Sequence, residues 1–194
     1  MKTIDELWKK LKDVELIQVR PEEMEPMYEH CFEFESPVIV EIGSAHGASS
    51  IVFASAADEL KGDLICIDNF IEEYEGQEKF GDYARKAFNK NMINKNERPV
   101  TLYDMNSTEA FKLINKSFGP IINFISILFI DGDHSYQGVK ADCTNYLPLL
   151  KSGGYVGFHD YNNVAYAGVK KAADEFCSGW QSQSIWDLMI FRKP

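Results

Sequence analysis

The feature that most constrains this chain is a strand, a glycine turn and a helix in immediate succession. Val38-Ile39-Val40-Glu41-Ile42-Gly43 is a β-branched run that closes on glycine, and the alanine-rich stretch from Ser49 to Leu60 has helical character. The same unit recurs. Leu64-Ile65-Cys66-Ile67-Asp68 and Val100 to Tyr103 are further short apolar runs, with a helical stretch from Phe80 to Asn94 between them. Ile125 to Ile130 is a fourth run ending at Asp131, and Tyr136 to Leu150 reads as a helix stopped by Gly153-Gly154. Tyr155 to Phe158 ends at His159-Asp160, Val164 to Phe176 is helical, and Gln181 to Ile185 with Leu188 to Arg192 suits an antiparallel hairpin.

Strands alternating with helices imply parallel pairing through right-handed crossovers. The expected fold is α/β, a Rossmann-like three-layer sandwich. Its mostly parallel sheet has about seven strands and ends in a C-terminal antiparallel hairpin. A ligand of such a sheet lies beyond the carboxyl ends of its strands, where Asp68, Asp131 and His159-Asp160 all fall. The length of 194 residues fits one domain spanning residues 1–194. Within it, residues 1–35 are expected to cover the sheet or the site. Thr3 to Val14 sets Ile4, Leu7, Trp8 and Leu11 at helical spacing, and Arg20 to Glu35, with its prolines and glutamates, reads as a linker or irregular helix.

A net charge of −10 argues against a nonspecific binder of nucleic-acid phosphates, which needs a concentrated basic surface. Cys31, Cys66, Cys143 and Cys177 are too widely spaced for a zinc knuckle or a disulfide framework and are expected to be buried thiols. The opening MKTIDELWKKLKD lacks the apolar core of a signal peptide, and no long uninterrupted apolar stretch follows. The expectation is a cytoplasmic protein without membrane or nucleic-acid partners, with homo-oligomerisation left open.

Glu41 to Gly47 has the form acid-x-Gly-x-x-x-Gly at a strand-to-helix turn. A dinucleotide fingerprint requires a middle glycine where Ala45 stands, which weakens a nicotinamide reading. The ligand that suits the turn has a zwitterionic amino-acid tail, its ammonium near Glu41 and its carboxylate at the amides of the next helix. S-adenosylmethionine has that tail. Gly43, Ser44, Ala45 and Gly47 would then approach the ligand through backbone, Asp68 would accept from two ribose hydroxyls, and Asn106 and Ser107, with Thr108, would line the adenine. His46 reads as a solvent-facing or cofactor-edge residue.

The stretch Phe129-Ile130-Asp131-Gly132-Asp133-His134-Ser135-Tyr136, the turn Leu147-Pro148-Leu149-Leu150-Lys151-Ser152-Gly153-Gly154 and the end Phe158-His159-Asp160-Tyr161 narrow the choice. Together they resemble the class I methyltransferases of methyltransferase family 24, over roughly residues 38–193. The resemblance implies transfer of a methyl group from S-adenosylmethionine to a hydroxyl on a small molecule or sugar, assisted by a divalent metal.

In that reading Asp131, His159 and Asp160 hold the metal, Mg²⁺ or Mn²⁺, with iron or zinc tolerated because His159 stands where related enzymes carry an acid. Asp131 belongs to the cofactor site as well. The general base is Asp133 or His134, with His134 preferred because imidazole titrates nearest neutrality. The plainer role for Asp133 and Ser135 is to cap a helix. Tyr136, Tyr161 and Tyr166 are either acceptor-pocket walls or core, and Glu72-Glu73-Tyr74-Glu75 either a loop over the site or a solvated face. Two rivals stand beside this reading: an NAD- or nucleotide-linked enzyme on the same fold, and a catalytically silent adenosyl-binding interaction module.

Overall fold

A computed structural model of the chain describes residues 3–10, 19–71, 73–74, 77–78, 80–93, 100–118 and 123–194. In chain order the strands are β1 (Val38–Ile42), β2 (Asp63–Asp68), β3 (Glu73–Tyr74), β4 (Gln77–Glu78), β5 (Thr101–Asp104), β6 (Ile125–Ile130), β7 (Leu150–Phe158), β8 (Gln181–Ile185) and β9 (Leu188–Arg192). The helices are α1 (Ile4–Lys10), α2 (Pro21–Cys31), α3 (Ala48–Leu60), α4 (Phe80–Ile93), α5 (Ser107–Phe118), α6 (Tyr136–Tyr146) and α7 (Ala167–Phe176).

Seven strands form one sheet in the order β5-β2-β1-β6-β7-β9-β8. The first five run parallel, and β9 runs antiparallel to both β7 and β8. The chain winds outward in one direction through β2 and β5 and in the other through β6 and β7, so the order reverses between β1 and β6. Such a reversal leaves a crevice at the carboxyl ends of the two strands. The expected fold class is therefore met, hairpin included.

Side-chain chemistry explains the layers. All six residues of β6 are buried, as a central parallel strand covered on both faces requires. One face of the sheet packs Ile39, Ile127 and Phe129 against Leu7, Met24, Phe53 and Phe88 of α1, α2, α3 and α4. The other packs Val40, Leu128 and Val156 against Ile114, Val139 and Val169 of α5, α6 and α7. Each fully buried Leu, Ile or Phe contributes about 1.5–3 kcal/mol.

Three elements depart from the sequence reading. The stretch read as a linker carries a regular helix, α2, because Met24, Met27, Tyr28 and Cys31 recur at helical spacing and are all buried. Pro21 occupies its first position, and Arg20 donates its backbone N–H to Glu23 Oε2 at 3.0 Å. Helix α5, which the sequence reading did not include, begins at residues expected to line the adenine, with Asn106 Oδ1 accepting the Glu109 amide at 2.9 Å.

The third departure concerns α6, which stops at Tyr146 and gives way to a short 3-10 turn, Leu147–Leu149, containing Pro148. Gly153-Gly154 does not stop that helix. The pair lies inside β7, at an irregularity where the partner of β6 jumps from Leu150 opposite Ile125 to Tyr155 opposite Ile127.

Helices α1 and α2 pack on α3, so this part of residues 1–35 covers one face of the sheet, while Leu11 and Val14 lie outside the described residues. Glu72 and Glu75 lie outside them too, and β3, between these positions, pairs with β4 as a two-stranded ribbon. All four cysteines are buried and free. Among the described residues no helix is long and apolar enough to cross a membrane.

Candidate active site

The carboxyl ends of β1, β2, β6 and β7 open into one cleft of about 990 Å³. Its central wall is the turn between β1 and α3. Gly43 has φ +87°, and a Cβ there would stand 2.1 Å from the Asp131 carbonyl oxygen, so only glycine lets β1 and β6 end this close together. The strand ends are laced by Asp131 N–H donating to Ile42 O at 2.8 Å and His159 N–H donating to Ile130 O at 3.1 Å.

Gly43, Ser44 and Ala45 line the cleft, as do Asp68, Asn106 and Ser107. Asp68 organises the turn: its Oδ2 accepts the amides of Ser44 and Ala45, each at 2.8 Å, and its Oδ1 accepts that of Phe70 at 2.7 Å. Each carboxylate oxygen has two lone pairs, so capacity for a ligand hydroxyl remains. Asn106 and Ser107 stand at the N-terminus of α5. The Ser107 hydroxyl donates to Asp142, a buried residue of α6 that sequence reasoning missed.

Two members of the expected cofactor set stand elsewhere. Glu41 is fully buried beneath the turn, where its Oε2 accepts the hydroxyls of Ser44, at 2.7 Å, and Ser50, and Cys66 Sγ lies 3.3 Å away. Burial pushes its carboxyl up, against the hydrogen bonds of the surrounding serines. It braces the turn and does not line the cleft, which corrects the expectation that it meets an ammonium directly. Gly47, at φ +86°, caps α3 and faces Phe88, so it too lies behind the wall. His46 is 1% exposed with its ring edge against Tyr83, and it lines the cleft from a buried position; the solvent-facing alternative does not hold.

The other half of the cleft holds a charged cluster. Asp131 Oδ1 lies 3.1 Å from His159 Nδ1 and 3.4 Å from His134 Nε2, while Asp160 Oδ2 lies 3.3 Å from His134 Nε2 and 3.4 Å from His159 Nδ1. Asp160 has φ +57°, unusual for a residue with a side chain, and its Oδ1 accepts from Asn163 Nδ2 at 3.0 Å. His134 stacks on Tyr166 with ring centroids 4.3 Å apart. Of the three tyrosines weighed, Tyr166 lines the cleft, whereas Tyr136 bonds Glu175 and Tyr161 bonds Asp174.

The second nitrogen of His159 is taken as well, with Nε2 3.4 Å from Oε2 of Glu23, a 1% exposed residue of α2. Burial opposes charge on this ring, but Asp131, Asp160 and Glu23 together carry its pKa far above the ordinary imidazole value. Burial likewise opposes charge on Asp131, yet His159 and His134 hold its carboxyl down to about 2. Glu23 was not anticipated, although Pro21 followed by two glutamates and the spacing Met24, Met27, Tyr28, Cys31 marks the start of a helix.

These contacts redistribute the expected roles. Both ring nitrogens of His159 are occupied, Nδ1 by Asp131 and Asp160 and Nε2 by Glu23, so the ring is placed to anchor the cluster from one side. Among the described residues, the metal-compatible group is Asp131, His134 and Asp160, whose ligand atoms lie within 4.8 Å of one another. Asp133 is exposed and its Oδ1 accepts the Ser135 amide at 2.8 Å, while Ser135 Oγ accepts the Gly138 amide at 3.1 Å. Asp133 thus stabilises the start of α6, and it also lines the cleft.

A sheet of this order with its last strand reversed, and a cleft joining a glycine turn to an acidic strand end, define the class I S-adenosylmethionine-dependent methyltransferase fold. The chain belongs to the methyltransferase domain family, whose sequence profile matches residues 40–161. A relative, an uncharacterized protein of Sinorhizobium fredii, is 32% identical over 124 residues; the match covers 63% of this chain and 13% of that protein. Among solved structures, the O-methyltransferase TomG of Streptomyces achromogenes, in complex with S-adenosylmethionine, is similar with a TM-score of 0.68 and 15% identity over 100% of this chain and 91% of that one. A TDP-rhamnose 3'-O-methyltransferase of calicheamicin biosynthesis gives a TM-score of 0.66 and 15% identity over 98% and 92% of the two chains.

Proposed function

We propose that the chain transfers the methyl group of S-adenosylmethionine to a hydroxyl oxygen of a small molecule or sugar, with a divalent cation held by Asp131, His134 and Asp160. The observation that carries the reading is the continuity of one cleft from the glycine turn and Asp68 to this cluster. An adenosyl amino acid lying along Gly43 to Ala45 and Asp68 would leave its sulfonium facing Asp131. The acceptor then enters from the side of Asp160 and Tyr166. Solved O-methyltransferases that share the fold, one acting on TDP-rhamnose, support a hydroxyl acceptor.

The donor set fits a cation, with two carboxylates and one imidazole leaving several coordination positions open, as suits Mg²⁺ or Mn²⁺. A cation bound there supplies Lewis-acid polarisation of the acceptor hydroxyl. The chain's own residues do the rest. Asn163 and the left-handed backbone of Asp160 aim its Oδ2 into the cluster, and His159, anchored by Glu23, fixes Asp131 from behind. Tyr166 stacks on His134 and shields it from water.

A second reading gives His134 the proton. Burial opposes charge on this ring, but Asp131 and Asp160 raise its pKa, which suits a base receiving a hydroxyl proton. The same Nε2 cannot be ligand and base at once. Turnover of labelled S-adenosylmethionine with a panel of hydroxylated acceptors, with and without chelator, separates the two. Loss with chelator and recovery with Mg²⁺ or Mn²⁺ supports the cation, undiminished turnover with an inactive His134→Ala supports the base, and no transfer to any hydroxyl sinks the proposal.

A further inference from the structure

We propose that Arg20 and Trp186, stacked at the rim of the acceptor half of the cleft, hold an acceptor that carries an anionic group, its ring against the indole and its phosphate or carboxylate on the guanidinium. The inference rests on the methyl-transfer reading given above and names the class of acceptor for that same site. The Arg20 guanidinium carbon lies 4.9 Å from the centroid of the Trp186 ring. The cleft borders the pair on two sides. Val19, directly before Arg20, lines it, and so does Asp160, two residues before the Asn162 side chain that grips the Trp186 turn.

Packing does not account for the indole. Trp186 and Asp187 alone join β8 to β9, between the paired residues Ile185 and Leu188. Trp186 has φ +52°, a left-handed backbone that so short a loop ordinarily gives to glycine, and yet it is 61% exposed. The strained turn is held from three directions. Asn162 Nδ2 donates to Trp186 O at 2.6 Å, Tyr161 N–H donates to Asp187 O at 2.8 Å, and Asp187 N–H donates to Glu23 Oε1 at 3.1 Å. The loop after Asp160, helix α2 and the indole are thereby fixed relative to one another.

Arg20 supplies the charge. Stacking uses the face of a guanidinium and leaves its in-plane N–H donors free, and among the described residues Arg20 makes no ion pair. Such a planar fork matches a carboxylate or a phosphate. Inside this half of the cleft the carboxylates of Glu23, Asp131 and Asp160 face only the imidazoles of His134 and His159, so an anion finds no excess positive charge there. An acceptor with an anionic group is therefore oriented, its hydroxyl inward and its anion at the rim.

The alternative is that the pair only clasps α2 to the hairpin. Nuclear magnetic resonance of isotope-labelled protein saturated with S-adenosylhomocysteine separates the two. The signal read is the indole N–H of Trp186, assigned by its loss in Trp186→Gly, during titration with glucose 1-phosphate, glucuronate and glucose. It should move at a concentration about tenfold or more lower for at least one of the two anions than for glucose, the contribution of one charged hydrogen bond. The anion preferred identifies the group as phosphate or carboxylate. Arg20→Gln should erase the preference, and Arg20→Lys, which keeps the charge without the fork, should retain part of it. Equal midpoints for glucose and both anions, no movement with either anion, or a preference intact in Arg20→Gln overturns the proposal. Should Arg20→Gln fail to fold, the wild type and Arg20→Lys still decide, because a clasp alone gives neither of them a preference. Absence of S-adenosylhomocysteine binding, seen in the same spectra, is a separate result that removes the methyl-transfer reading on which the proposal rests.

Discussion

The Nδ1 of His159 lies 3.1 Å from Oδ1 of Asp131, while the other nitrogen of the same ring meets Glu23. A helix from the first residues of the chain thereby reaches the centre of the cleft. Glu23 also accepts the Asp187 amide at 3.1 Å, so one buried carboxylate joins α2, the turn between β8 and β9, and the site.

Replacing Glu23 by Gln should destabilise the fold by about 1–3 kcal/mol, the cost of a lost charged hydrogen bond. His159 has a raised pKa, so its contribution is complete below the ordinary imidazole value of 6.5 and is lost as pH rises through the folded value. Glu23 is lowered despite its burial, so its contribution is complete above 4.5 and is lost as pH falls. Urea unfolding of wild type and Glu23→Gln should therefore differ most between pH 4.5 and 6.5. A difference independent of pH would show that the pair carries no charge coupling.

Gly43→Ala should lower stability by more than about 2 kcal/mol, because a left-handed residue acquires a Cβ against backbone that cannot yield. Gly179, also left-handed but with nothing near its Cβ position, is the control. Its alanine variant should lose about 1 kcal/mol, the conformational part alone. Equal losses in denaturant unfolding would mean that the close approach to Asp131 is relaxed.

The ligand-free protein should gain stability near neutral pH from Asp142→Asn. A carboxyl whose folded pKa is raised to about 6 from 3.8 loses stability as pH rises between those values, and the amide has no such loss. Thermal unfolding should show the gain at pH 7 shrinking toward pH 4. A variant less stable than wild type at both pH values would contradict the burial cost.

The parallel sheet was legible because its central strands β1 and β6 are buried on both faces and read as unbroken apolar runs, closed by Gly43 and Asp131. Gln181 to Ile185 and Leu188 to Arg192 match β8 and β9 residue for residue. Helix α2 was obscured by Pro21 and Pro26, although a proline in the first turn favours a helix start. The site was legible as a set of positions and not as a set of contacts. Asp131, His134, His159 and Asp160 do converge, but the choice between His134 and His159 depends on Glu23, which lies 136 residues from His159 in sequence. Glu41 was misplaced for a related reason: strand alternation points its side chain under the turn, toward Ser50 and Cys66.

Mn²⁺ titration followed by electron paramagnetic resonance tests the cation site without relying on turnover. Binding should be abolished in Asp131→Asn, strongly weakened but measurable at high Mn²⁺ in His134→Ala, and weakened about 10–100-fold in Glu23→Gln, which only orients a ligand through His159. Nitrogen coupling to Mn²⁺ should vanish in His134→Ala. Its persistence there would return His159 to the ligand set.

Calorimetric titration of S-adenosylhomocysteine into the wild type and into Asp68→Ala tests the central claim, with NAD titrated in parallel. The expected result is one S-adenosylhomocysteine per chain, affinity lowered about tenfold or more in Asp68→Ala, and no heat from NAD. Binding of NAD with none of S-adenosylhomocysteine, or equal affinity in the two proteins, would contradict the account.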